Sequence, residues 1–140
     1  MTIVLDCNVI VMCLTSRSPY HAIYQSLING KYSLAVNTDI VLEYEEIIQQ
    51  KYGTATANAF ITLLKELPNV LYVNSSYKWQ LIKIDPDDNK YCDCAIAGKA
   101  SFLVTEDKHF DILKSVPFPK LTPISIKYFL EVLKGGQDRN

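Results

Sequence analysis

The stretch from Asp85 to Asp107, DPDDNKYCDCAIAGKASFLVTED, constrains this chain most. It sets six acidic side chains (Asp85, Asp87, Asp88, Asp93, Glu106 and Asp107) among residues that favour burial. Ala95, Ile96 and Ala97 belong to a small-residue helical pattern, and Phe102, Leu103 and Val104 to a short apolar strand. A run of acids ordinarily marks a solvated face. Carboxylates carried close together on a buried scaffold repel one another, and the usual reason to tolerate that cost is a divalent cation that offsets it.

The rest of the sequence bounds what can surround this stretch. With 140 residues, 49% of them apolar, the chain can build one sizeable core, and a single domain over 1–134 with a short tail over 135–140 is expected. A net charge of −1 gives no electrostatic case for a protein that coats nucleic acid or membrane, although the end of the chain from Lys108 is mildly basic. The start, MTIVLDCNVIVMCL, carries Asp6 and Asn8 and lacks a basic leader, so it reads as a strand running into a helix. No apolar run approaches the ~20 residues that span a bilayer, and a cytoplasmic location without a membrane partner is expected. Cys7, Cys13, Cys92 and Cys94 sit in apolar segments and read as reduced core residues; Cys92-x-Cys94 lacks the further ligands of a zinc site.

Taken in order, Thr2 to Leu5 is a buried strand closed by Asp6, followed by helical patterns over 9–14 and 20–28, the latter stopped at Asn29-Gly30. Ser33 to Val36 is a second strand, and Asn37-Thr38 offers an N-cap to a helix whose apolar stripe is Ile40, Tyr44, Ile47 and Ile48. Glu46 points away from that stripe. Glu43 and Glu45 fall on its two margins, and periodicity does not choose between them. After Gly53 a helix over 54–67 follows, then a strand over 70–73 and an ambiguous segment over 77–84. A turn at Asp85-Pro86-Asp87-Asp88 leads into a helix to Lys99, a strand over 102–105, a brief helical turn near 110–113, a strand around 121–124, and a last helix from Ser125 to Leu133 stopped by Gly135-Gly136. Strands separated by helices predict an α/β fold, a three-layer α/β/α sandwich around a central, mostly parallel sheet. In such sheets, sites form at the carboxyl ends of the strands.

Asp6 and Asp107 each follow an apolar strand, so parallel pairing places both on one sheet edge. Asp88 and Glu43 lie near the starts of helices that can face the same edge. Four carboxylates so placed suit Mg²⁺ or Mn²⁺, which take oxygen ligands, polarise a phosphate and lower the pKa of water. Each acid also has an ordinary role open to it: Asp88 as a helix cap, Asp107 as a turn former, Glu43 as a first-turn acid complementing the helix dipole. Separately those roles suffice, but together they do not explain why separate elements deliver acids to one predicted edge.

Asp6-Cys-Asn8 after the first strand, Thr38 followed by Glu43, Asp88 ahead of Ala95, and Val104-Thr105-Glu106-Asp107 together resemble the PIN-domain nucleases. DPDDNKYCDCAIAGKASFLVTEDKHF resembles more narrowly the branch of VapC-type toxins of toxin-antitoxin systems. The resemblance runs from Ile3 to about Ile126. It implies a PIN-like α/β/α sandwich, an acidic Mg²⁺ or Mn²⁺ site, and endoribonuclease activity on single strands. It implies Asp6, Glu43, Asp88 and Asp107 as the metal-binding and catalytic acids, which selects Glu43 over Glu45. Asn8 and Thr105 match its polar helpers, and Asp93 is a candidate supporting acid behind the metal ligands. Asp85 and Asp87 read as turn residues. Lys90, Lys108 and Lys114 are candidates to guide substrate phosphates.

The resemblance further implies a small antitoxin partner that inserts a basic side chain into the acidic pocket, and a homodimer formed through apolar positions between Tyr20 and Phe60. Two other functions compete. An aspartate-based phosphatase of the haloacid-dehalogenase type needs a second acid where Asn8 stands. A non-catalytic RNA- or protein-binding module would have no need to keep all four acids.

Overall fold

The computed structural model describes residues 1–138, with side chains through Gly135. Five strands, β1 (Thr2–Leu5), β2 (Ser33–Val36), β3 (Val70–Tyr72), β4 (Phe102–Val104) and β5 (Pro123–Ile124), form one sheet in the order β3-β2-β1-β4-β5, and every pairing is parallel. Six α-helices accompany them: α1 (Cys7–Cys13), α2 (His21–Ile28), α3 (Thr38–Tyr52), α4 (Thr54–Glu66), α5 (Asn89–Ala97) and α6 (Ile126–Asp138). Short 3₁₀ segments at Pro86–Asp88 and Lys108–Ser115 complete the architecture. The predicted α/β sandwich with a parallel sheet is the observed fold.

The central strand explains the layering. Ile3, Val4 and Leu5 are all fully buried, so consecutive side chains, which point to opposite faces, both meet protein rather than water. Leu34, Ala35 and Val36 of β2 and Leu103 and Val104 of β4 repeat this. Burying each larger aliphatic side chain contributes about 1.5–3 kcal/mol, which fixes the register strongly. Leu5 pairs with Val104. The chain therefore leaves both strands at the same level, and the Asp6 amide still donates to the Val104 carbonyl at 3.0 Å. Because β1 is flanked by β2 on one side and β4 on the other, the direction of winding reverses between β1 and β4, the place where parallel sheets open a crevice.

On α3 the stripe Ile40, Tyr44 and Ile48 is fully buried, and Asn37 caps the helix by accepting from the Ile40 amide at 2.9 Å. The Tyr44 hydroxyl donates to the Leu5 carbonyl, which holds α3 against the end of β1 and carries Glu43 to the same edge. Gly53, at φ 94°, makes the break between α3 and α4. Two expectations need correction. The ambiguous segment 77–84 has no helix or strand, and it is held by Asn89, whose side chain accepts from the Ile82 amide at 2.8 Å and donates to the Ile82 carbonyl at 2.9 Å. The last helix does not stop before Gly135-Gly136 but runs to Asp138: glycine lowers helix propensity by only ~1 kcal/mol and does not itself end a helix. Of the expected tail, residues 139–140 lie outside the described residues.

Candidate metal centre

Asp6 occupies the N-cap position of α1, yet its side chain does not cap the helix. Its Oδ2 instead accepts from the Thr105 hydroxyl at 2.9 Å, a contact set by the β1–β4 register. The same hydroxyl oxygen accepts from the Asp107 amide at 3.0 Å. Thr105 therefore ties the acid after β1 to the acid after β4. Asp6 is 5% exposed, and burial raises its carboxyl above the usual range; Thr105, the Cys7 thiol and the Asn8 amide oppose this, and the Glu43 charge adds to it. Asn8 itself is exposed on the first turn of α1.

Glu43 reaches this edge from α3, with both of its oxygens engaged. Oε1 accepts from the Tyr91 hydroxyl and Oε2 from the Lys90 ammonium at 3.0 Å. The Tyr91 oxygen also accepts from the Cys7 amide at 3.2 Å, so α5, α3 and the start of α1 meet at one buried phenol. Asp6, Cys7 and Glu43 each present a ligand-type atom within 4.8 Å of one another. Burial pushes the Cys7 thiol well up, which keeps it protonated and a poor partner for a hard cation. Glu45 is absent from this cluster, and Glu46 is exposed.

Asp88 lies on the other side. It occupies the N-cap position of α5 without making the capping bond, so the ordinary helix-cap reading of this residue does not hold. Its Oδ2 is buried, makes no hydrogen bond among the described residues, and faces His109 Nδ1 at 3.4 Å. The same ring nitrogen is 3.4 Å from Asp107 Oδ1. Burial raises Asp88 to about 6, with Asp85 adding repulsion, His109 opposing, and Asp107 and Asp6 each raising it further. Asp88 thus senses both strand-end acids. Asp107 also takes its ordinary role, capping the following 3₁₀ segment through the His109 amide at 2.9 Å.

A carboxylate oxygen buried without a donor, surrounded by other acids that raise its pKa, is the environment a divalent cation relieves. The donors nearby are chiefly oxygens. The oxygens of Asp6 and Glu43 on one side, and of Asp85 and Asp88 beside His109 on the other, therefore fit a hard divalent cation.

Other sequence candidates are placed differently. Asp93 is 3% exposed, and its Oδ1 accepts from the Trp79 amide at 3.1 Å; the structure gives it a bond to the 77–84 segment and none to the other acids. Lys90 is turned inward, with its ammonium also 2.8 Å from Asp87 Oδ2, rather than outward toward a substrate. Lys108 and Lys114 are exposed and line a cleft of about 180 Å³ with Thr105 and Asp107, and Lys114 pairs with Asp111 at 3.6 Å. Asp85 is a turn residue as expected, accepting from the Asp87 amide at 3.2 Å, but it also joins Asp88 and His109 within 4.8 Å. Sequence reasoning missed His109 and Tyr91. The available signals were a histidine two residues beyond Asp107 and an aromatic three residues beyond Asp88, hence on the same helical side.

Comparison with known proteins places this geometry. No curated protein matches the chain. Among solved structures, VapBC2 from Rickettsia felis, bound to a DNA fragment from the promoter, superposes with a TM-score of 0.62 at 14% identity over 89% of this chain and 98% of that one. VapBC-1 from nontypeable Haemophilus influenzae gives a TM-score of 0.59 at 20% identity over 91% of this chain and 99% of that one. These likenesses establish the fold. A model of the PIN domain matches residues 2–109, a span that runs from β1 through Asp107 to His109 and takes in every acid of the centre, and the chain belongs to the PIN-domain family.

Proposed function

We propose that this protein is a metal-dependent endoribonuclease that hydrolyses RNA phosphodiester bonds, the toxin of a toxin-antitoxin pair. The observation that carries the reading is the Thr105 hydroxyl held between Asp6 and Asp107. Acids from separate elements converge where the sheet opens. Family membership and the fold shared with VapBC structures support the nuclease and toxin readings respectively.

Asp6, Glu43, Asp88 and Asp107 are the residues that would hold the ion, Asp6 standing with Glu43 on one side of the edge and Asp88 on the other. A bound Mg²⁺ or Mn²⁺ would supply Lewis-acid polarisation of the phosphate and a lower pKa for attacking water. The chain's own contribution is positional. Thr105 fixes Oδ2 of Asp6, and through the Asp107 amide it also fixes the backbone of the second acid. His109 Nδ1 stands between two of the acids, 3.4 Å from Asp88 Oδ2 and 3.4 Å from Asp107 Oδ1. Lys108 and Lys114 on the exposed margin draw in the phosphates of a single strand. Water attack then leaves a 5′-phosphate and a 3′-hydroxyl.

The acidic centre also suits a basic side chain from a small antitoxin, and Ile28 and Leu42, apolar and exposed on α2 and α3, suit a homodimer surface. No helix of the described residues is long and apolar enough to cross a membrane, in keeping with action on cytoplasmic RNA. Incubation of the purified chain with single-stranded RNA tests the proposal. Cleavage that requires Mg²⁺ or Mn²⁺ and stops with EDTA is expected; undiminished cleavage in EDTA, or none in any divalent ion, overturns it.

A further inference from the structure

We propose that Tyr77, Trp79 and Phe118 form a platform on which the bases of single-stranded RNA stack, with Lys78 and Lys120 beside it to hold the phosphates. The inference rests on the RNA substrate proposed above and names where the strand is held outside the acidic centre.

Three aromatic side chains from two distant segments meet at this place. The ring centroids of Tyr77 and Trp79 lie 4.6 Å apart, and those of Trp79 and Phe118 5.9 Å apart, spacings at which aromatic pairs attract. The cluster is nevertheless not core. Phe118 is 78% exposed and Tyr77 66% exposed, with Trp79 half-buried between them. That much aromatic surface left in water forgoes the stabilisation of burial, which calls for a partner. The segment that carries Tyr77 and Trp79 is also fastened down: the Trp79 amide donates to Asp93, and Asn89 makes two bonds to Ile82. Asp93 follows Asp88 by five residues along α5, about 7.5 Å of helix rise, so a strand lying on the platform runs close to the acids.

The surrounding charge identifies the partner. Residues 74–84 and 115–124 carry Lys78, Lys83 and Lys120 and no acid, in a chain whose 15 acids outnumber its 14 bases. All three lysines are exposed, and none forms an ion pair among the described residues, unlike Lys90 and Lys114. Lys78 and Lys83 also line the 850 Å³ cleft, where Asp39, Glu43 and Glu46 oppose them, so a polyanion gains from these lysines on the aromatic side rather than inside the cleft. A single strand offers both things that this surface lacks, unstacked bases with a π-face and a row of phosphates. The acidic centre repels phosphate until a cation occupies it, so affinity for the strand has to come from outside it.

Trp79 is the one tryptophan of the chain, so its fluorescence reports on this site alone. Titration of the full chain with a short oligoadenylate in EDTA should quench that fluorescence, whereas heparin, a polyanion without bases, should not. Phe118→Ala and Tyr77→Ala, both at exposed positions, should each weaken oligoadenylate binding by about 5–10-fold, near the lower end of what loss of one stacking ring costs. Phe118→Tyr, which keeps a ring, should bind as the wild type does. Lys78→Gln should reduce the slope of log affinity against log salt by about 0.7, the share of one phosphate contact on a single strand. No quenching by oligoadenylate, equal quenching by heparin, or unchanged affinity in both alanine variants would each overturn the platform. Absent quenching together with self-association that Phe118→Ala abolishes would overturn it in favour of an interface between copies of the chain. RNA cleavage without quenching would overturn the platform alone, and quenching without cleavage in any divalent ion would overturn the nuclease reading while the platform stands.

Discussion

The two sides of the acidic edge are built by different means. Asp6 and Asp107 stand at the ends of β1 and β4, where register, buried aliphatic side chains and the Thr105 hydroxyl fix their backbones. Asp85, Asp87, Asp88 and Lys90 stand on a 3₁₀ segment and the first turn of α5, where side-chain partners do most of the fixing. A strand end aims its residue because the whole sheet would have to slip to move it. A loop aims its residues only as well as their partners hold them. The strand-end side therefore sets the geometry, while the loop side sets the charge.

Asp6→Asn should produce the largest effect. The carboxamide keeps the shape and an oxygen for Thr105 but removes the charge, so metal-dependent RNA cleavage should fall by about 10²–10³-fold or more, the scale of losing a principal electrostatic group. The fold should persist. Burial raises the Asp6 carboxyl, so its ionised form destabilises the metal-free protein, and the variant should melt no lower than wild type without metal. Addition of Mn²⁺ should raise the melting temperature of the wild type only. Full cleavage by Asp6→Asn would remove the strand-end side from the chemistry.

Thr105→Val sharpens the same side without touching an acid. It leaves the buried Asp6 Oδ2 without its donor and the Asp107 amide without its acceptor, at a cost of about 1–3 kcal/mol in denaturant unfolding. Thr105→Ser should recover most of that loss. Equal stability of the Val and Ser variants would show that register alone positions the two acids.

The loop side should appear in pH dependence. Asp88 rises from the ordinary 3.8 to about 6 in the folded protein, so between those values the folded state binds more protons than the unfolded. Stability of the metal-free protein should therefore fall as pH rises through this window and then level off. Asp88→Asn should flatten that slope, leaving the smaller share that Asp6, shifted in the same direction, contributes. Denaturant unfolding from pH about 4 to about 7 measures it, and an unchanged slope in Asp88→Asn would mean that the Asp88 carboxyl is solvated.

This asymmetry also explains what was legible in the sequence. Residues 2–5, 33–36 and 102–104 announce themselves as buried strands through unbroken β-branched and aliphatic runs, and an acid directly after such a run has few directions open to it. Asp6, Thr105 and Asp107 could be placed on one edge for that reason. Glu43 could not be separated from Glu45 by periodicity, since both border the stripe; the tie is broken in space by Lys90 and Tyr91, 47 and 48 residues away in chain order. Lys90 read as a phosphate-guiding lysine because the contact that turns it inward, to Glu43 on α3, is remote in sequence, although its other two oxygens come from Asp87, three residues before it. His109 carried a local signal in its place two residues beyond Asp107, but its approach to Asp88 is set by the fold.

Asp93 gives the smallest expected effect and marks the limit of the centre. It lies on α5 one turn beyond Asn89 and Lys90, and the family resemblance made it a candidate supporting acid. Its carboxylate is buried, and burial raises its pKa, which the Trp79 amide and the Lys78 charge oppose. The bond to Trp79 pins an irregular segment that also borders the 850 Å³ cleft beside Glu43 and Lys90. Asp93→Ala leaves that amide without its partner and should cost about 1 kcal/mol, or a few degrees in melting temperature. Asp93→Asn keeps an oxygen acceptor and should cost less. Because Asp93 shares no hydrogen bond with Asp6, Glu43, Asp88 or Asp107 among the described residues, both variants should cleave RNA at close to the wild-type rate. Should Asp93→Asn, which preserves the Trp79 contact and removes only charge, depress cleavage as far as Asp6→Asn does, the division between the two sides fails, since charge on α5 would then act at the phosphate itself.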